Sequence, residues 1–148
     1  MRSLWLVAAM ALVLAGGGQV LRADLTKALA EQNLERRSGL ALANAAAVLK
    51  SARASYDKGD NDQVAKDAAE ILESVELAAK ALADSGKNPR RSDWFKKAEI
   101  STRDLGRRLQ DFQDAMSYAD RAVLDRVKAR TLEVHEKLLL GVMEGKKK

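Results

Sequence analysis

The sequence predicts an all-α protein, and three observations support this fold class. Hydrophobic residues make up 47% of the chain but aromatic residues only 4%, and helix formers such as Ala, Leu, Glu, Lys and Arg dominate around a single Pro. No alternating strand pattern and no Asn-Gly or Asp-Gly hairpin dipeptide is present. Apolar residues instead recur at spacings of three and four, as on the buried side of packed helices.

The first 23 residues have the layout of a secretory signal peptide. Arg2 gives a positive start, residues 4–14 are an uninterrupted apolar run, and three glycines follow at 16–18. We expect cleavage between Gly17 and Ala23, which leaves residues 24–148 as one helical-bundle domain with a short basic C-terminal tail. The prediction is therefore an exported protein, periplasmic or secreted. The alternative is an N-terminally membrane-anchored form, because residues 4–20 nearly reach the roughly 20 apolar residues of a spanning helix.

Two helical segments are predicted in the first half of the remaining chain. The first covers about residues 24–56, with a kink or a frayed start expected at Ser38-Gly39. The second covers about residues 63–84, after a turn in which Gly59 suits a left-handed backbone and Asp60 or Asp62 suits a helix cap. The predicted buried positions are Leu42, Ala45, Leu49, Ala52 and Tyr56 in the first segment and Val64, Ala68, Ile71, Val75, Ala78 and Leu82 in the second.

Two further segments follow in the second half. One opens at the predicted cap Ser92, and another runs over about residues 118–143 after a Ser117–Asp120 capping-box pattern. We predict an antiparallel four-helix up-down-up-down bundle, with a three-helix arrangement containing one long C-terminal helix as the alternative, because no Gly or Pro separates the last two segments. The predicted buried positions are Phe95, Ala98, Thr102, Leu105, Leu109, Phe112 and Met116, then Leu124, Val127, Thr131, Val134 and Leu138.

Aromatic residues are expected to close the two ends of this bundle. The topology places Tyr56 and Tyr118 at one end and Trp94 at the other. At these places they are predicted to cover the core.

Two stretches resemble known proteins. The segment Tyr56-Asp-Lys-Gly59-Asp60 resembles the turn of a tetratricopeptide repeat, without a 34-residue period after it. The stretch from Asn88-Pro89-Arg90 through Trp94-Phe95 to Met116-Ser-Tyr-Ala-Asp-Arg121 looks like a group of small secreted bacterial helical proteins with no assigned activity. This resemblance covers about a third of the chain and implies an exported helical protein without naming a function.

The residue types that catalysis and cofactor binding require are scarce. The chain has no Cys, which excludes disulfides, thiolate ligands or nucleophiles, and a lipid-bearing cysteine. His135 is the one histidine, and it belongs to no haem-attachment, Glu-x-x-His or nucleophile motif. We therefore predict a non-enzymatic protein with no cofactor, and a ligand- or metal-carrying bundle using the core near His135 is the alternative.

Charge is segregated along the chain. Residues 57–84 carry eight acidic and three basic residues, whereas residues 87–110 carry eight basic and three acidic ones. One expectation is that the second and third helices attract each other as antiparallel neighbours.

The other expectation is a candidate partner-binding basic face on the outside of the third helix, supplemented by the tail Lys146-Lys147-Lys148. Its predicted partner is an acidic protein or an anionic envelope surface. Nucleic acid is not expected, because loss of Arg2 and Arg22 would lower an already small net charge of +5 by two. The predicted function is contact with proteins or with the envelope surface. The candidate residues of the basic face are Arg90, Arg91, Lys96, Arg103 and Arg107.

Overall fold

The computed structural model describes residues 19–145, with side chains from Leu25 onward. Most of the predicted leader 1–23 and all of the lysine tail 146–148 lie outside this range. Within the described range, no helix is long and apolar enough to cross a membrane. The elements are α1 (Gln19–Ala30), α2 (Leu34–Asp57), α3 (Asn61–Asp84), α4 (Asp93–Ala115), a 3-10 helix (Tyr118–Leu124) and α5 (Asp125–Glu144).

The four long helices form a bundle in which consecutive helices run in opposite directions, as predicted. α2 and α3 form one hairpin, and α4 and α5 form a second hairpin through the 3-10 helix. The two hairpins pack with α2 beside α4 and α3 beside α5. Ser92 before α4 donates a hydrogen bond of 2.7 Å to Glu35 in the first turn of α2, so these two neighbours run parallel. α1 packs against α2.

The predicted buried positions form the core. Nearly every one of them is buried, and Tyr56 is half-buried against the core cluster. Spacings of three and four predicted these buried residues correctly, because they place all of them on one side of a helix that has 3.6 residues per turn. The largest fully buried side chains are Phe112, Ile71, Leu82, Leu109 and Leu124.

The predicted single helix over residues 24–56 is wrong. The helix breaks at residues 31–33, where Asn33 caps α2 by accepting a hydrogen bond of 2.9 Å from the backbone N–H of Arg36. α2 then continues through Ser38-Gly39 without interruption. The Ser38 hydroxyl donates to the carbonyl of Glu35 within its own helix, and Gly39 gives the Trp94 ring room to pack.

Two loop predictions have different outcomes. Gly59 adopts a φ of 77°, and Asp60 caps α3 by accepting a hydrogen bond of 3.1 Å from the backbone N–H of Gln63, as predicted. Ser92 occupies the cap position of α4 but makes no side-chain capping bond. Its hydroxyl bonds instead to Glu35, so this residue joins two helices and does not cap one.

α4 and α5 are separate because a tertiary contact interrupts the backbone. Met116 is extended (ψ 155°), and the backbone N–H of Ser117 donates to the Tyr56 hydroxyl of α2 at 2.9 Å. The Ser117 hydroxyl donates to the Asp120 carboxylate and caps no backbone N–H, and the Ser117 N–H donates to Tyr56, so neither backbone bond of the predicted capping box is formed. Tyr56 packs edge-on against Phe112, whereas Tyr118 is 90% exposed and covers nothing, contrary to its predicted role.

The predicted attraction between an acidic second and a basic third helix is also wrong. α3 and α4 lie on a diagonal of the bundle and barely contact each other. The main ionic link of α3 to the other hairpin runs to α5, where Arg130 Nε lies 2.7 Å from Glu76 Oε1. Packing of the two hairpins therefore decides which helices are neighbours, because buried apolar area outweighs exposed charge pairs in free energy.

Candidate partner-binding face

The basic face consists of two loop residues and three helical residues. Arg90 and Arg91 lie in the connection between α3 and α4, and Lys96, Arg103 and Arg107 lie on α4. All five are exposed. Spacings of seven and four residues keep the three helical residues on one side of α4, over a length of about 16 Å. The prediction that they point away from the core therefore agrees with their positions.

The helical cations of this face have weak local partners. Lys96 lies 3.8 Å from Asp93, Arg103 lies 3.7 Å from Glu99, and Arg107 lies 3.8 Å from Asp104. Lys96 and Arg107 pair with exposed acids, and such pairs within one helix stabilise it by only about 0.3–0.5 kcal/mol, whereas the Glu99 side chain beside Arg103 is only 12% exposed. An anionic partner can therefore compete for Lys96 and Arg107 at small cost to the fold.

The loop that carries Arg90 and Arg91 is held in place on both sides. Asn88 accepts a hydrogen bond of 3.1 Å from the backbone N–H of Arg90, and its carbonyl accepts one of 3.0 Å from that of Arg91. Pro89 packs closely against Gly141 of α5, and the Arg90 side chain lies against Gly145. The two arginines are thus presented from a fixed turn, which lowers the entropy lost when they bind a partner.

An apolar row on α5 accompanies the basic face and was not singled out from the sequence. α4 and α5 are antiparallel neighbours, with Thr102 near His135 and Gly106 near Thr131. This register places the end of α5 beside the start of α4. The signal was present in the sequence as further apolar residues on the last helix, at spacings of seven, one and three, on the side opposite its buried positions. The exposed members of the row are Leu132, Leu139, Leu140 and Met143.

His135, the basis of the alternative prediction, lies in the α4–α5 interface. Its Nδ1 is 3.3 Å from the Glu99 carbonyl oxygen, 3.5 Å from Thr102 Oγ1 and 3.8 Å from Glu99 Oε1. A protonated Nδ1 would donate to the Glu99 carbonyl and link the two helices. Among the residues that the structure describes, no group of three or more His, Asp or Glu side chains is placed to hold a metal ion.

A buried carboxylate occupies the α2–α3 hairpin. Asp67 is 2% exposed, and its Oδ1 accepts a hydrogen bond of 2.8 Å from Gln63 while its Oδ2 has no partner. Burial raises the pKa of Asp67, the Gln63 hydrogen bond lowers it, and the charge of Asp60 raises it further, with burial the largest cause. The same hairpin buries Asn44, which donates to Ser74 at 3.0 Å.

Two open grooves follow the contacts between the hairpins. The groove between α3 and α5 has a volume of about 350 Å³ and an apolar floor that includes Leu82, Phe95 and Val134. The groove between α2 and α4 has about 310 Å³ and is bounded by Gly39, Trp94 and Ile100. Arg130 crosses the rim of the first groove to Glu76 and also pairs with Glu133 at 2.9 Å, so this rim is largely neutralised.

The comparisons with known proteins add no further constraint. No protein-family model, curated protein or solved structure matches the chain.

Proposed function

We propose that the protein is an exported, non-enzymatic binding protein that holds an anionic partner on the basic face of α4. The observation that carries this proposal is the exposure of five cations along one edge of the bundle, from the α3–α4 loop to the middle of α4. Export is supported by the signal-like layout of residues 1–23. Partners of this chemistry are acidic proteins and anionic envelope surfaces.

The geometry favours recognition by charge over a shaped ligand site. The side chains of Lys96, Arg103 and Arg107 are all at least half exposed, and their intrahelical partners lie near the outer limit for an ion pair. Charged surfaces of this kind increase association rates and select the sign of the partner's charge. The binding should accordingly weaken as salt concentration rises.

The proposal is tested by reversing Arg103 and Arg107 to Glu and measuring retention of the protein by its envelope fraction, with cross-linking in intact cells. We expect retention and cross-linking to fall by more than about tenfold, because each exposed cation near an anionic surface contributes on the order of 1 kcal/mol and two are reversed. Far-ultraviolet circular dichroism should be unchanged, since neither residue is part of the core.

Lys58→Glu with Lys66→Glu provides a matched control. Both lysines are exposed and lie away from α4, and Lys66 has acidic neighbours four residues away on each side, just as Arg103 has Glu99. This control should leave retention unchanged. Equal retention of the wild type and the Arg103/Arg107 variant would refute the proposed face.

A further inference from the structure

The groove between α2 and α4 extends beyond its cavity of about 310 Å³. A second cavity of about 190 Å³ adjoins the first, and both are lined by Gly39 and Leu42 of α2 and by Ser101 of α4. On α4 the lining runs from Trp94 to Arg108, which is about 21 Å by the rise of an α-helix. We call the two cavities together the α2–α4 groove.

Small side chains on α2 make room in this groove for another helix. Gly39, Ala43 and Ala46 follow one another at spacings of four and three, so they lie on one side of α2. On the α4 wall of the groove, Ile100 is 53% exposed. Helices pack when the ridge of one enters the groove of another, and this surface offers both a protruding side chain and a row of small ones.

The exposed charges on the groove side of α4 form a symmetric pattern with inverted signs. Four exposed residues follow at spacings of four, seven and four, and they are Asp93, Lys97, Asp104 and Arg108. The spacings are the same in both directions along the helix, whereas the signs are exchanged. A second α4 that runs in the reverse direction therefore places Lys97 opposite Asp104. It also places Asp93 opposite Arg108.

The midpoint of this pattern coincides with the middle of the groove. It falls between Ile100 and Ser101, and the part of α4 that lines the groove, 94–108, is centred on Ser101. A two-fold axis at this point maps the surface onto itself, as a contact between identical copies requires and a contact with a different protein does not. Two α4 helices running in the same direction would instead bring like charges together, which repel.

Other charges of α4 and its preceding loop are compatible with this axis. Asp111 lies on the same side of α4 beyond the groove, and its counterpart in the second copy is Arg90. Arg107 belongs to the basic face and its counterpart is Trp94, on which a guanidinium group can stack. Reversal therefore sets neither of these charges against a charge of the same sign.

The charges of α2 at the edge of the groove neither favour nor oppose this arrangement. Reversal about the same axis brings Lys50 near Glu35 and Arg36, which are adjacent and have opposite charge. Arg53 lies beyond the groove, 5.6 Å from the centre of the Phe112 ring. The direction of the second copy is therefore set by α4.

We propose that the protein forms a two-fold symmetric dimer, in which α4 of each copy lies antiparallel to α4 of the other along the α2–α4 groove. Lys97 pairs with Asp104 and Asp93 with Arg108 between the copies, and Ile100 enters the space beside Ala43. This inference goes beyond the proposed function and does not depend on it, because the paired residues are not those of the basic face.

The contact between the copies is small. The groove is about 21 Å long and two adjacent helices are about 20 Å wide, so each copy contributes about 400 Å². Stable interfaces use about 800 Å² per partner. We therefore expect a reversible dimer that dissociates in the micromolar range.

Exchange of charges tests the pairing. Lys97→Glu alone and Asp104→Lys alone each set like charges against each other at two symmetry-related contacts. Each should raise the dissociation constant of the dimer by about tenfold or more, because attraction becomes repulsion at both contacts. The double variant Lys97→Glu with Asp104→Lys restores unlike charges and should recover the wild-type value. Within one chain the two residues are about 10 Å apart along the helix, too far to pair with each other.

The dissociation constant is measured by analytical ultracentrifugation over the micromolar range, on protein isolated from its own cells. Mass spectrometry first establishes the N-terminus, because association through a retained apolar N-terminus would not respond to these charges. Lys66→Glu, an exposed reversal on α3, is the control and should leave the dissociation constant unchanged.

A single cysteine tests the position of the axis. The chain has no Cys, so a disulfide between copies forms only at an introduced residue. Ser101→Cys lies next to the axis and should give a disulfide-linked dimer on mild oxidation, since bridged Cα atoms lie within about 7 Å. Gln110→Cys is the control and should stay unlinked. Gln110 is exposed on the same helix, but it accepts a hydrogen bond of 2.9 Å from Lys128 on α5 and so faces away from the groove.

Four results would overturn the inference. They are a wild type that stays monomeric throughout the micromolar range, association beyond the dimer, single reversals without effect, and a double exchange that does not restore the dimer. Cross-linking of the Ser101→Cys variant in cells to a different protein, with a monomeric wild type in solution, would assign the groove to that protein and equally exclude the dimer.

Discussion

Asp67 carries the clearest cost to stability at the scale of a single residue. Its carboxylate is buried, one oxygen has no hydrogen-bond partner, and burial raises its pKa above the ordinary value. A raised pKa means that the folded state favours the neutral carboxyl group. The neutral carboxyl group therefore stabilises the folded protein relative to the charged one. This stabilisation is fully present below the ordinary pKa of Asp and is lost as pH rises through the folded-state pKa.

Asp67→Asn should therefore stabilise the protein at neutral pH. The amide oxygen keeps the hydrogen bond from Gln63 and the buried charge is removed, while the amide nitrogen takes the partnerless position of Oδ2. We expect the free energy of unfolding to rise by about 1 kcal/mol near neutrality, because burying a charge costs more than burying an unpaired amide N–H. The difference from the wild type should shrink as pH falls toward about 4, where Asp is protonated in the unfolded chain as well.

Urea denaturation at neutral and acidic pH measures this effect. Asp62→Asn is the control, because Asp62 lies exposed on the same helix. An Asp67→Asn protein that is less stable than the wild type at neutral pH would show that the unpaired oxygen has a partner in solution.

At the scale of the element, the contact between α2 and α4 depends on one glycine. A Cβ atom built on Gly39 would lie 2.6 Å from Cζ3 of Trp94, which is closer than real Cβ contacts. The same ring has a cation over it, because the Lys97 ammonium nitrogen lies 5.1 Å from the centre of the Trp94 ring. Any side chain at position 39 must therefore displace the ring and change how α4 begins.

Gly39→Ala should destabilise the bundle by about 1–3 kcal/mol, the usual cost of overpacking, less the gain of up to about 1 kcal/mol in helix propensity. Displacement of the ring should also shift the Trp94 fluorescence to longer wavelength. A chain processed before residue 24 has Trp94 as its one tryptophan, and a Trp5→Phe background gives the same clean signal where residues 1–23 are retained.

Gly106→Ala measures the gain in helix propensity without overpacking. Its nearest neighbour would be Thr131 at 3.9 Å, an ordinary contact, so this variant should be slightly more stable than the wild type. If Gly39→Ala behaved in the same way as Gly106→Ala, with unchanged emission, the close approach of Trp94 would not constrain the fold.

At the scale of the whole molecule, Tyr56 joins the two hairpins at the end of the bundle where the α2–α3 turn lies. Tyr56 extends from α2, packs edge-on against Phe112 of α4 with ring centres 5.9 Å apart, and bonds through its hydroxyl to Ser117 and Asp120. The hydroxyl therefore fixes both the relative position of the hairpins and the interruption between α4 and α5.

Tyr56→Phe should lower the free energy of unfolding by about 1 kcal/mol, since it removes the hydroxyl and leaves the Ser117 N–H without that acceptor. Hydrogen exchange at residues 116–120 should accelerate, because this turn loses its tie to α2. Tyr118→Phe removes an exposed hydroxyl and is the matched control. Equal stability of the two variants would mean that apolar packing alone holds the hairpins together.

The sequence by itself determined the all-α fold class and the buried sides of the four long helices, but not the break at residues 31–33. Spacing of three and four selected the core residues correctly because helix geometry is local and repeats every 3.6 residues. The left-handed backbone of Gly59 and the helix cap at Asp60 could likewise be predicted, since both depend on neighbours a few positions away. The exposure of Arg103 and Arg107 followed from the same periodicity.

Only the tertiary structure decided which helices are neighbours and which segments share an end. The break after Met116 comes from Tyr56, which is 61 residues before Ser117, and the position of Arg90 beside Gly145 comes from contacts of similar range. Opposite net charge on α3 and α4 did not make them neighbours, because exposed charges interact weakly across water while apolar burial fixes the packing. The acidic residues of α3 and the basic residues of α4 therefore lie on diagonally opposite helices of the bundle.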